Sequence, residues 1–195
     1  VFVNGVRQSL DGNALVADSA SRDGNFISFL FSKDYDLSNN KDVHLGFYSH
    51  YAQNQDSSGS LEYSIDQGES WFPVVYMIDS DDIVNDDSGN IDAVATFEQE
   101  HEDIAIGYHP DTFEEIGGFY GAYIASDISD DLAPYISGRI NDDQSGSKRY
   151  ETYRLPEADG QKNVRFRFAK SGTYSWYWGI DNFGLYSIAP SSMPE

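Results

Sequence analysis

Aromatic and basic side chains gather in the second half of the sequence, in a pattern that suits sugar recognition. Residues 119–123 follow two glycines and carry two tyrosines, and residues 149–154 combine two further tyrosines with two arginines. Flat tyrosine rings can stack on sugar faces, and arginine can bind carboxylate or sulfate groups. Ion pairing with neighbouring Asp and Glu is the alternative use of these arginines. The candidate ligand contacts are Tyr120, Tyr123, Tyr150, Tyr153, Arg149 and Arg154.

The sequence contains no familiar catalytic motif. Its four histidines form no H-E-x-x-H zinc motif, and no G-x-S-x-G nucleophile elbow occurs. We expect the histidines to be surface or turn residues. A glycosidase needs two carboxylates across a cleft, but 33 acidic residues make chance pairs such as Glu62 and Asp66 uninformative. We expect those two on one strand face, and we predict no enzyme, with polysaccharide degradation as the weaker alternative.

Residues 86–92 form an acidic segment with oxygen-bearing side chains at alternate positions, like the first half of a calcium loop. The glycine of this segment stands fourth and not sixth, and no Glu stands twelfth. The segment is therefore not an EF-hand, and we predict a solvated loop.

Short runs typical of β-strands must position the candidate residues. Residues 61–66 and 164–168 alternate between apolar and polar side chains, so the apolar set of each run faces the core. A tight turn at Gln67 and Gly68 joins the first run to the next strand. Further strands are expected at residues 93–97 and 104–108. A short helix is expected at residues 128–135, with Ser129 as its N-cap.

These elements predict an all-β fold, namely an antiparallel jelly-roll β-sandwich with long decorated loops and at most one or two short helices. We expect one domain over residues 1–189 and a linker-like tail over residues 190–195. The first residue is Val1 and no apolar signal segment follows, which indicates a mature or excised domain.

Composition excludes several classes of partner. The formal net charge of −21 argues against nucleic acid and anionic membrane surfaces, which need a basic patch. No run of residues is apolar enough for membrane insertion. The absence of cysteine excludes disulfides and thiolate metal sites.

Several motifs, taken in order, resemble the MAM-like, choice-of-anchor group of bacterial secreted and cell-surface jelly-roll domains. They are G-N-A-L-V-A-D-S at residues 12–19, D-L-S at 36–38, L-E-Y-S-I-D-Q-G-E-S-W at 61–71, V-R-F-R-F at 164–168 and W-G-I-D-N-F at 178–183. The resemblance covers residues 12–75 and 164–186 and leaves the middle unmatched; Gln67 replaces the first glycine of the usual hairpin pair. It implies a jelly-roll fold, export from the cell and frequent attachment to larger enzymes or surface proteins, but no activity. It also implies that the strand face of Glu62 and Asp66 is solvated.

The same resemblance implies a structural calcium ion (Ca²⁺). In similar jelly rolls a late-strand Asp and an early Asp close around calcium with backbone carbonyls, which here implies Asp181 with Asp18, and Asp23 as a nearby candidate. Calcium takes six to eight oxygen ligands, so two distant segments plus carbonyls could supply them. Hydrogen bonding of Asp181 to turn amides is the alternative. Trp178, on the same stretch, is expected to pack in the core.

Together these observations predict a non-catalytic extracellular binding module for polysaccharide or surface glycan, stabilised by calcium. We expect a monomeric module of a larger protein. The alternative is a calcium-stabilised structural or adhesive surface domain that binds no sugar.

Overall fold

A computed structural model describes residues 2–3, 6–7, 13–18, 25–54, 57–103, 107–108, 115–116, 128–140, 148–173 and 176–187. The strands are β1 (Phe2–Val3), β2 (Val6–Arg7), β3 (Leu15–Asp18), β4 (Asn25–Phe31), β5 (Val43–Tyr51), β6 (Ser58–Ser64), β7 (Phe72–Asp79), β8 (Gly107–Tyr108), β9 (Glu115–Ile116), β10 (Ile136–Arg139), β11 (Lys148–Arg154), β12 (Arg165–Thr173) and β13 (Tyr177–Ser187). One α-helix, α1 (Ala93–Asp103), and short 3-10 turns at Ser80–Asp82, Asp130–Tyr135 and Pro156–Ala158 complete the described elements.

Two packed sheets build the fold. One has five strands in the order β10-β7-β6-β12-β4, and the other has four in the order β11-β5-β13-β3. Strand β10 extends the five-stranded sheet by pairing in parallel with β7. Strands β1 and β2 pair with each other, as do β8 and β9, outside these two sheets. Without β10, the two sheets contain eight strands. When these eight are renumbered from 1 to 8 along the chain, the sheet orders are 1-8-3-6 and 2-7-4-5, which is the strand order of a jelly roll. The predicted jelly-roll sandwich is therefore confirmed.

The core between the sheets contains the apolar residues that stand at alternate positions of the strands, as the sequence pattern predicts. Leu61 and Tyr63 of β6 face Phe166 and Phe168 of β12, and all four are buried. The two sheets meet where Phe47 contacts Phe168 edge-on, with ring centroids 5.6 Å apart. Burial of this aromatic surface is the main stabilising contribution in a chain without disulfides.

The outer face of the five-stranded sheet is covered by α1, where we predicted a strand at residues 93–97. Ala93 and Phe97, one helical turn apart, are both buried, and the Phe97 ring packs edge-on against Tyr76 of β7. Asp92 caps the helix, because its Oδ1 accepts the Ala95 amide at 2.8 Å. The strand prediction was wrong because a short apolar run has no distinct period, and this cap decides in favour of a helix.

The helix predicted at residues 128–135 is a 3-10 turn, Asp130–Tyr135, with Pro134 inside it. Ser129 stands at the N-cap but makes no side-chain capping hydrogen bond. Of the strand predicted at residues 104–108, Gly107–Tyr108 forms β8 and the rest lies outside the described residues. Within the described ranges, no helix combines the length and apolar character needed to cross a bilayer.

The hairpin between β6 and β7 turns at Gln67 and Gly68, whose φ angles are +68° and +98°. Two successive positive φ angles are typical of a type I′ turn, in which glycine is the least strained residue. We expect Gln67→Gly to raise the free energy of unfolding by about 0.5–1 kcal/mol, because it relieves left-handed strain in a side-chain-bearing residue. Urea denaturation measures this change. Glu69→Gly is the control, since Glu69 has no positive φ and should lose stability; a loss at Gln67 as well would contradict the account.

Candidate functional site

Three tyrosines stand side by side on the outer face of the four-stranded sheet. Tyr150 of β11 is paired directly with Tyr48 of β5, and Tyr186 of β13 is paired with His44 on the other side of β5. The residues Tyr48, Tyr150 and Tyr186 are 38%, 44% and 54% exposed. The alternate residues of β5, such as Phe47, are buried in the core. We call Tyr48, Tyr150 and Tyr186 the tyrosine face.

Tyr150 contacts both other members of the tyrosine face. The hydroxyl of Tyr150 donates a hydrogen bond to the hydroxyl of Tyr186 at 3.2 Å. Tyr48 packs edge-on against Tyr150, with ring centroids 5.0 Å apart and planes at 69°. Because β5 lies between β11 and β13, the bonded hydroxyls meet across the central strand. The rings are therefore held in place before any ligand arrives.

The hydrogen bond to Tyr186 raises the pKa of Tyr150 to about 12. An unfolded tyrosine ionises near pH 10, so the folded state keeps this proton longer. The stability that the bond contributes is therefore complete below about pH 10 and is lost as pH rises towards 12. We expect Tyr186→Phe to lower the pKa of Tyr150 towards 10 in an NMR titration of ring-labelled tyrosine. Tyr135→Phe, outside the face, is the control and should leave the Tyr150 pKa unchanged.

Hydrogen-bonding groups flank the tyrosine face. His50 of β5 is buried, against our prediction of a surface or turn histidine, and packs edge-on against Tyr177 with centroids 5.3 Å apart. The Tyr177 hydroxyl lies 3.4 Å from His50 Nε2. Lys148 is paired with His50 in the register, and Asp181 is paired with Tyr48. Alternation places these polar groups on the same sheet face as the tyrosines.

Arg154, one of the predicted ligand contacts, lies on this face but is engaged within the protein. Its Nε lies 2.7 Å from Asp42 Oδ1, its Nη1 donates to the Val43 carbonyl at 3.1 Å, and its Nη2 binds the Asp159 carboxylate. The hydrogen bond from Arg154 lowers the pKa of Asp159. Arg154 is therefore used for ion pairs within the protein, the alternative that we had considered for these arginines. It connects the start of β5 to the turn that contains Asp159.

Arg149 and Tyr153, also predicted as ligand contacts, point to the opposite side of β11 from Tyr150. Both bind Glu151, which accepts Arg149 Nε at 2.8 Å on Oε1 and the Tyr153 hydroxyl at 2.9 Å on Oε2. A third donor, Arg139 Nη2 of β10, reaches the same Oε1 at 2.9 Å. Arg139 and Glu151 are almost fully buried, whereas the Arg149 side chain is about half exposed. Burial raises the pKa of the Tyr153 hydroxyl.

A cleft of about 370 Å³ opens beside this cluster, between the edge strands of the two sheets. Arg149 and Tyr153 line one wall, and Val74, Pro134 and Tyr135 line the other. The predicted ligand residues thus divide between two surfaces: Tyr150 belongs to the tyrosine face, while Arg149 and Tyr153 belong to the cleft. Tyr120 and Tyr123 lie outside the described residues.

The structure does not bring Asp18 and Asp181 together. Asp18 is paired with Tyr177 and Asp181 with Tyr48, so four residue steps of β13 separate them. At about 3.3 Å per step this is roughly 13 Å, too far for one calcium ion with ligands at about 2.3–2.6 Å. The Oδ1 of Asp181 instead accepts the Asn182 amide at 2.7 Å, at a β-bulge where Asn182 has a φ of +51°.

Asp23, the third predicted calcium ligand, lies outside the described residues. No group of three or more His, Asp or Glu side chains arranged for a metal occurs in the described part of the chain. Calcium binding therefore stays a prediction. In the acidic segment 86–92, the Asp86 carboxylate accepts the Ser88 and Asn90 amides, each at 2.8 Å, and residues 86–90 are exposed, as expected for a solvated loop.

Glu62 is not on a solvated face, contrary to our prediction. It is 1% exposed, pairs with Arg167 across β6 and β12, and accepts the Tyr76 hydroxyl at 3.0 Å. The Arg167 guanidinium also lies 4.3 Å from the centre of the Trp71 ring. This buried ion pair links β6 to β12. Asp66 lies in the hairpin turn, where it accepts the Ser70 amide at 2.9 Å.

Sequence reasoning did not select Tyr48 and Tyr186 as ligand residues. The signal was present in part, because alternation along residues 43–48 places His44, Gly46 and Tyr48 on one face, away from the apolar set. The pairing of β13 and β11 on either side of β5 supplies the rest.

The fold and the tyrosine face define a class: a jelly-roll sandwich with one open aromatic sheet face. No protein-family model matches the chain, and none of the curated proteins is similar enough to match it.

Proposed function

We propose that this domain is a non-catalytic glycan-binding module, which binds polysaccharide on the tyrosine face. One observation carries the proposal: three exposed tyrosines share the outer face of the four-stranded sheet, and one of them, Tyr150, contacts both Tyr48 and Tyr186. The resemblance of the sequence to exported bacterial jelly-roll domains supports an extracellular setting, within a larger surface or secreted protein.

The physical argument rests on partly exposed aromatic surface that is already ordered. Covering an exposed ring with the apolar C–H face of a sugar removes that area from water, and the ring quadrupole attracts the C–H groups. Because Tyr150 is held by Tyr48 and Tyr186, little side-chain freedom is lost on binding. Each such ring is expected to contribute about 0.5–1.5 kcal/mol beyond its area.

The flanking polar groups suit sugar hydroxyls. His44 and Asp181 lie on the same sheet face as the rings, at positions paired with Tyr186 and Tyr48. Aromatic surface with a few fixed polar groups is the usual composition of a ligand site. Glu62 is buried and ion-paired with Arg167, so its carboxylate contributes to the structure of the sheet and faces no cleft that the described residues form.

Affinity electrophoresis through gels that contain single polysaccharides tests the proposal. We expect the wild-type domain to be retarded by at least one neutral polysaccharide. We expect Tyr150→Ala and Tyr186→Ala each to raise Kd by about 3–10-fold, which corresponds to the loss of one stacked ring. Tyr135→Ala is the matched control, because Tyr135 is similarly exposed but lies on the 3-10 turn beside the cleft.

Two outcomes would contradict the proposal. One is free migration of the wild-type domain in every gel of a panel that spans glucans, xylans, mannans, galactans and uronic-acid polymers. The other is retardation that Tyr135→Ala weakens and the tyrosine-face variants leave unchanged, which would move the site to the cleft.

A further inference from the structure

Two glycines lie under the tyrosine face. Gly46 of β5 and Gly184 of β13 are paired directly across the strands, and alternation places both on the outer side of the sheet. A patch of backbone without side chains therefore lies on β5 and β13, the strands that carry Tyr48 and Tyr186.

The rings of Tyr150 and Tyr186 occupy the space that side chains at these glycines would fill. A Cβ added at Gly46 would overlap the Tyr150 hydroxyl and would lie 2.8 Å from the Tyr150 Cζ and 3.1 Å from the Tyr186 Cε2. A Cβ added at Gly184 would lie 2.9 Å from the Tyr186 hydroxyl and 3.1 Å from its Cζ. Both contacts are closer than a real Cβ tolerates, so the rings lie down on the backbone instead of standing up from the sheet.

We propose that Gly46 and Gly184 are positioning residues that keep the rings of Tyr150 and Tyr186 flat against the sheet. We further propose that this flat ring pair selects neutral glycans with extended chains and equatorial hydroxyls. This inference rests on the proposed function and adds the ligand class and the residues that set it.

The ligand class follows from the shape of the flat ring pair, Tyr150 and Tyr186. A pyranose whose hydroxyls are all equatorial presents only axial C–H groups on its faces, so it can lie flush on a flat aromatic surface. In an extended, β-linked chain successive sugars keep those faces accessible along a nearly flat ribbon. An α-linked glucan coils, and its curved surface covers less of the flat ring pair than an extended chain does. The formal net charge of −21 disfavours polyanionic glycans through like-charge repulsion.

Two hexasaccharides of identical composition test the ligand class on the wild-type protein by isothermal titration calorimetry. Cellohexaose is β-linked and extended, and maltohexaose is α-linked and coiled. We expect cellohexaose, or its xylose counterpart xylohexaose, to bind at least tenfold more tightly than maltohexaose. Equal affinity, or preference for maltohexaose or for an oligoalginate, would overturn the inference while leaving the proposed function intact. Absence of binding to every glycan would instead overturn the proposed function.

The positioning role is tested with Gly46→Ala. We expect its affinity for the best ligand to fall at least fivefold, and we expect the NMR-titrated pKa of Tyr150 to drop from about 12 towards 10 as the hydroxyl pair separates. The pKa readout would not move if Gly46 affected stability alone. Gly138→Ala is the control, because a Cβ there would meet Ile83 at 2.9 Å, far in the fold from the tyrosine face.

Gly184→Ala provides a second variant if Gly46→Ala does not fold, since the three atoms nearest to its added Cβ all belong to Tyr186. Circular dichroism establishes folding of each variant. A folded Gly46→Ala or Gly184→Ala protein with wild-type affinity would overturn the positioning role. A parallel loss of affinity in Gly138→Ala would do the same, because it would trace the effect to general destabilisation.

Discussion

Glu151→Ala is expected to lower the free energy of unfolding by about 3–5 kcal/mol, because it leaves the Arg139 guanidinium buried without its counter-charge. Arg139 and Glu151 link the edge strands of the two sheets through a 2.9 Å bond, with side chains only 3% and 9% exposed. Arg139 Nη2 donates to Glu151 Oε1, and the Nε of Arg139 has no hydrogen-bond partner among the described residues, so Glu151→Ala removes the counter-charge that the structure shows for this guanidinium. Urea denaturation monitored by tryptophan fluorescence measures the loss.

Arg149→Ala is the matched control. Arg149 binds the same carboxylate oxygen, but its side chain is 46% exposed, so water replaces the interaction and the expected loss is below about 1 kcal/mol. Replacing both buried partners by apolar residues, as in Arg139→Met with Glu151→Leu, should recover most of the stability lost in Glu151→Ala. Equal losses for Glu151→Ala and Arg149→Ala would show that burial of the pair is not what matters.

Trp178→Ala is expected to lower the free energy of unfolding by a similar amount, about 3–5 kcal/mol, through the cavity it leaves. Trp178 is 2% exposed and packs edge-on against Tyr51 and Phe168, with ring centroids 5.8 and 5.7 Å away. Its indole Nε1 donates to the Ser49 hydroxyl at 3.0 Å, so truncation also leaves that hydroxyl without its donor.

The control for Trp178 is Trp176→Ala, two residues earlier and 39% exposed. We expect that substitution to change the free energy of unfolding by about 1 kcal/mol or less, since an exposed ring loses little burial. Thermal melting of both variants compares them directly. A larger loss for Trp176 than for Trp178 would contradict the packing described for β13.

Local pattern was sufficient to predict the central strands. The alternation of residues 61–66 and 164–168 selects the faces that point into the core between the two sheets, since side-chain direction in a strand follows from a period of two. The same alternation separates Tyr150 from Arg149 and Tyr153 within one strand, although we had grouped them as one ligand surface. Proximity along the chain is not proximity of side chains on a strand.

The rest of the site depends on contacts between distant segments. Tyr150 and Tyr186 are 36 residues apart and meet only because β5 lies between their strands. The register of β13 separates Asp18 from Asp181, although both lie where the resemblance places calcium ligands. Neither strand order nor register can be read from composition or periodicity alone.

The central claim is that glycan binds on the tyrosine face, and NMR mapping of the bound oligosaccharide tests it most directly. The isotope-labelled domain would be titrated with the oligosaccharide that binds best in the panel. We expect the resonances which shift to belong to the outer positions of β5, β11 and β13, with the largest changes at the rings of Tyr48, Tyr150 and Tyr186. Shifts confined to the cleft beside Arg149, or to the face covered by α1, would contradict it.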